Sequence, residues 1–150
     1  MTERKPPYLA FFGAAVLMFV MIVDGLDVLA RVQIRGQSFT EALSESFHYA
    51  LVQLSGTLLS FVPFAAIAWI CASLAKFRRP WAISLMTACF VAFAFLYYRG
   101  CMDAQEYLLQ HSWTAAALAV GLIPFMSVPI VLLAFLVRFV LVRKVVPTKA

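Results

Sequence analysis

The sequence predicts an all-α, polytopic membrane protein: a four-transmembrane-helix bundle, with both termini on the cytoplasmic side and short amphipathic helical segments on the outer side. Three observations predict it. Four apolar runs, at about 8–30, 49–75, 81–98 and 114–137, take up most of the 150 residues. Each is long enough as a helix to cross a hydrocarbon core of about 30 Å, where a helix satisfies its own backbone. Composition agrees: 64% of residues are hydrophobic and 13% charged, against about 45–50% and about 25% in soluble domains. Little length remains for a soluble unit, so residues 1–150 read as one integral membrane domain.

The third observation is where the charge lies. The net charge is +5. Of the twelve basic residues, nine (Arg4, Lys5, Lys76, Arg78, Arg79, Arg138, Arg143, Lys144 and Lys149) flank one side of the runs, and three (Arg31, Arg35 and Arg99) the other. The positive-inside rule then puts the termini and the Lys76–Pro80 turn in the cytoplasm. The basic excess is therefore a topology signal, and nucleic acid is excluded as a partner.

The first run opens after Pro6 and Pro7, which suit a first helical turn. Arg4 and Lys5 before it resemble the start of a signal peptide, but no small-residue cleavage pattern precedes Asp24 and Asp27, so it reads as an uncleaved helix. Ala10 and Ala14 are a small pair that favours close helix approach. Asp24, Asp27 and Arg31 follow at spacings of three and four, on one helical face.

After a short outer loop, Ser38-Phe39-Thr40-Glu41 reads as a capping box. Phe39, Ala42, Leu43, Phe47, Ala50 and Leu51 recur at helical spacing, with Glu41, Glu45 and His48 on the polar side. This predicts a surface helix running into the second span. That span carries Gln53, Gly56, Thr57 and Ser60 at i, i+3, i+4 and i+7. Gly56, Thr57 and Ser60 read as a packing seam against the first helix, rather than as the wall of a polar pathway. Pro63 predicts a kink.

Trp69 and Trp81 flank the basic turn as an aromatic belt. The third span ends near Arg99, where Gly100 can break the helix. Met102–Gln110 looks too polar to span, with Asp103 and Glu106 sharing a face. Trp113 opens the fourth span, and Gly121, Pro124 and Pro129 predict at least one bend. Spans one and two share no pattern with spans three and four beyond hydropathy, which gives no support to an inverted-repeat transporter.

Enzyme signatures are absent: no Gly-rich phosphate loop, no G-x-S-x-G elbow, no H-E-x-x-H. No catalytic residue, cofactor site or metal site is predicted. Cys71, Cys89 and Cys101 show neither C-x-x-C nor zinc spacing. The turn-spaced pairs Glu45/His48 and Asp103/Glu106 read as a solvated polar face rather than as metal ligands. Small multidrug exporters, also four-helix proteins, depend on a glutamate in the middle of helix one. Here residues 14–23 are wholly apolar, which argues against that family.

The candidate functional or partner-binding residues are Asp24, Asp27, Arg31, Glu41, Glu45, His48, Gln53, Arg99, Asp103 and Glu106. Asp24 stands out, lying about 24 Å along the helix from Tyr8 and so just inside the outer hydrocarbon edge. An acid there is costly and suggests function by default. The readings favoured over transport or proton handling are pairing, with Gln53 first or with Arg31, and an early helix end that leaves Asp24 among headgroups and water. Two functions fit. The favoured one is a small non-catalytic protein of the bacterial inner membrane, an accessory subunit or a protective, immunity-type protein, acting through contacts with a protein partner or with copies of itself. The alternative is an oligomeric transporter or channel for a cation or proton that uses Asp24.

Overall fold

The computed structural model describes residues 7–145. Glu3, Arg4, Lys5, Pro6 and Lys149, which entered the sequence reading, lie outside the described residues. Those described form seven helices and no strand. They are α1 (Tyr8–Arg35), α2 (Phe39–Val52), α3 (Leu54–Ala75), α4 (Arg79–Leu109), α5 (Trp113–Gly121), α6 (Ile123–Met126) and α7 (Val128–Val145). Four stretches are long and apolar enough to cross a membrane: α1, α3, α4 and the broken unit Trp113–Arg143. One end of the bundle carries the basic α3–α4 turn. The other, acidic end carries α2 and the C-terminal turns of α1 and α4.

Helix α1 outruns its expected end at residue 30 because its polar residues do not stop it. Arg31 bonds back to Asp27 one turn earlier, and the helix ends where Gly36 takes the left-handed conformation at φ 66°. The capping box of α2 is present: the Ser38 hydroxyl accepts from the Glu41 amide, and Glu41 reaches back to the Ser38 amide.

The second expected span, 49–75, is in fact two helices. The chain leaves helical geometry at Gln53 (φ −103°, ψ 46°). Thr57 bridges the break, its hydroxyl donating to the carbonyls of Ala50 at 3.1 Å and Gln53 at 3.2 Å. Pro63, where a kink was expected, lies buried inside continuous α3.

Helix α4 does not break at Gly100 but runs on to Leu109. The glycine serves close approach instead: a Cβ there would lie 2.5 Å from Ile123 Cδ1 and 3.0 Å from the Ala119 carbonyl oxygen. The helix ends in a Schellman arrangement. Ser112 N–H donates to the Tyr107 carbonyl and His111 N–H to that of Leu108, with His111 at φ 59°. The expected bend in the last span is present, as interruptions at Leu122 and Ser127 near Pro124 and Pro129. Proline has no amide hydrogen for the ladder. The buried Ser127 hydroxyl donates to the Ile123 carbonyl at 2.9 Å.

The core is aromatic. Phe64 of α3 sits at its centre, edge-on to Phe19 of α1 at 5.4 Å, stacked on Phe90 at 5.6 Å and tilted against Phe93 at 4.9 Å. Tyr97 extends the cluster at 6.1 Å. Quadrupole geometry favours such offset and edge contacts over face-to-face stacks.

Candidate functional site

At the acidic end, α1, α2 and α4 meet around one cation. Arg31 is 6% exposed. Its Nε donates to Asp27 Oδ2 at 2.8 Å and its Nη1 to Glu45 Oε2 at 2.6 Å. The guanidinium also lies over the Tyr49 ring, 5.2 Å from its centroid. Arg35 approaches the same Glu45 oxygen at 3.6 Å. Two amides complete the group: Gln105 donates to Asp27 Oδ1 and Gln37 to Glu45 Oε1, both at 3.2 Å. Two carboxylates face two arginines, so the cluster is neutral as a whole. An arginine keeps its charge, and the fork of its donors holds both acids in place. The arrangement ties α2 and α4 to α1.

Local sequence explains how each group arrives. The i, i+4 spacing on α1 brings Asp27 under Arg31. On α2 the face packed inward is Ala42, Glu45 and Ser46, with Ala42 and Ser46 buried, and Tyr49 lies exposed at its edge. Small residues let α2 approach closely enough for Glu45 to reach Arg31. Glu45, expected on the polar side of a helix lying against the membrane surface, instead turns toward α1, while the apolar positions Phe39, Phe47 and Leu51 are 64%, 54% and 73% exposed.

The other candidates lie apart from this cluster. Asp24 is half-buried one turn from Asp27 and makes no hydrogen bond or ion pair among the described residues. Neither expected partner holds it: Gln53 is exposed at the α2–α3 break, and Arg31 is engaged with Asp27 and Glu45. Glu41 serves the capping box. His48 is exposed beside Tyr49, with ring centroids 6.2 Å apart. Arg99, Asp103 and Glu106 occupy the face of α4 turned away from Gln105. Among the described residues, no group of three His, Cys, Asp or Glu side chains comes together as a metal site would need.

The expected seam is also corrected. Gly56 is exposed, and a Cβ there would meet nothing within 4 Å. Thr57 bonds its own chain, and Ser60 is only half-buried. Helix α3 packs on α1 lower down, through Phe61 and Phe64 against Phe19. Aromatic contacts there are joined in the core by the fully buried Ala15, Ala68 and Ala72. Ala10 and Ala14 are likewise exposed.

Sequence reasoning missed Gln105, which is 3% exposed although it falls in a segment that looked too polar to span. A signal was available. Phe93, Tyr97, Gly100/Cys101 and Ala104/Gln105 continue one buried stripe at helical spacing. Three comparisons, with protein-family models, with curated proteins and with solved structures, return no match to this chain.

Proposed function

We propose that this is an integral protein of a bacterial inner membrane, N-in and C-in, that acts without catalysis by binding a protein partner in and just outside the bilayer. One observation carries the reading: the centre of the bundle is filled by Phe19, Phe64, Phe90, Phe93 and Tyr97, and its buried residues include no Asp, Glu, Lys, Arg or His. A conducting path needs polar groups at several depths, and here the buried charge gathers at one end in a neutral cluster. The binding surface is then the outer side: the exposed apolar face of α2 (Phe39, Leu43, Phe47, Leu51) with His48 on the same helix. Exposed apolar patches rimmed by polar residues mark interaction sites.

The second reading, an oligomeric cation or proton pathway, is favoured by the unpartnered, half-buried Asp24. Liposomes separate the two. Purified protein should pass neither protons nor monovalent cations under an imposed gradient. Flux that disappears in Asp24→Asn would overturn the binding reading. Photo-crosslinking from position 47 in native membranes should give a discrete protein adduct, and adducts with lipid alone would count against a partner.

A further inference from the structure

The first halves of α1 and α4 do not close on each other. The two helices run parallel and are joined at the acidic end through Asp27 and Gln105. Toward the basic end they flank an open groove of about 500 Å³. Ala10, Ala14 and Met18 form one wall, and Ile83, Thr87 and Val91 the other, both rows at four-residue spacing. Arg79 stands at the mouth.

We propose that this groove seats one acyl chain of an anionic glycerophospholipid whose phosphate is held by Arg79, with Arg78 and Lys76 of the same turn beside it. The proposal rests on the membrane-spanning reading above. Three features identify the occupant. The first is length: on α4 the groove lines residues from Arg79 to Ala94, about 22 Å at 1.5 Å per residue. That covers one leaflet of hydrocarbon, about 15 Å, plus the distance to a headgroup.

Volume is the second. A helix about 10 Å across and 20 Å long displaces on the order of 1,500 Å³, so a whole helix does not fit. Charge is the third. The ion pairs among the described residues all lie at the acidic end, and none involves Lys76, Arg78 or Arg79. No acid among the described residues pairs with them, and basic pockets between transmembrane helices suit anionic headgroups.

The test uses delipidated full-length protein in mild detergent, titrated with phosphatidylglycerol or with zwitterionic phosphatidylethanolamine and read by native mass spectrometry. Wild type should retain one phosphatidylglycerol in preference to phosphatidylethanolamine. Arg79→Gln should reduce that preference about fivefold, the equivalent of about 1 kcal/mol per basic residue at an anionic surface. Ala14→Phe and Thr87→Phe should each abolish retention by filling the groove, with circular dichroism unchanged. Because both sites are exposed, two independent fillers guard against one that misfolds.

Equal retention by wild type and both fillers would mean annular lipid only and would overturn the proposal. So would a wild-type dimer, lost on filling with no change in lipid, since the groove would then be an interface between copies. Alkaline carbonate extraction reports the underlying reading separately. Release from membranes would overturn both readings, whereas firm retention with no lipid difference overturns the groove alone.

Discussion

Replacing Arg31 by Met should loosen the acidic end while leaving the core intact. Methionine keeps most of the stem volume but removes the donors that hold Asp27 at 2.8 Å and Glu45 at 2.6 Å. Removing one partner of a fully buried pair costs about 3–5 kcal/mol. Here the side chains of Asp27 and Glu45 keep 23% and 42% exposure. Glu45 can regain water, so its share falls to the surface value, at most about 1 kcal/mol. Asp27 retains only the Gln105 amide at 3.2 Å, and most of the cost falls there. The total should be about 2–3 kcal/mol, or roughly 5–10 °C in melting temperature for a chain of this size. The triple variant Arg31→Met, Asp27→Asn, Glu45→Gln should recover most of it, because replacing an ion cluster with neutral groups is often nearly free. Thermal melts in detergent give the magnitude. A cysteine at Ser46, a position 4% exposed, gives the location: maleimide should react with it far faster in the Arg31→Met background. A single variant as stable as wild type, or a triple no better than the single, would refute the clamp.

Three further outcomes follow from the packing. Gly100→Ala should destabilise by about 1–3 kcal/mol, since the new methyl meets the Ala119 backbone oxygen at 3.0 Å, whereas Gly56→Leu should change the melt little, reversing the order that a Gly56 seam would give. Thr57→Val should cost about 1 kcal/mol by leaving the Ala50 carbonyl without its 3.1 Å donor, and Thr57→Ser should behave as wild type in the same melt. For orientation, an impermeant thiol reagent on intact cells should label cysteine at Gln110 but not at Lys76, both exposed; the opposite pattern would invert the N-in, C-in arrangement. Gln105 is unsuitable for that experiment because it is buried.

The helical class, the four apolar stretches and the cap at Ser38 were legible along the chain, because each depends on local properties: run length, hydropathy, and a side chain three residues from its own backbone. The sequence also brought Asp27 and Arg31 onto one face, since their spacing is that of the helix. Which residues meet across helices is set by three-dimensional packing. Periodicity gave α2 two faces but could not say which turns inward. The apolar face would point to the core of a soluble domain, yet here the small face carrying Glu45 docks on Arg31. Gly56 and Gly100 are alike as isolated glycines in long helices, and their difference lies entirely in what stands opposite: open surface for one, Ile123 and Ala119 for the other. Gln105 looked like a solvent-facing residue because its segment is polar on average. Its burial depends on Asp27, 78 positions earlier in the chain, a pairing that local pattern does not encode.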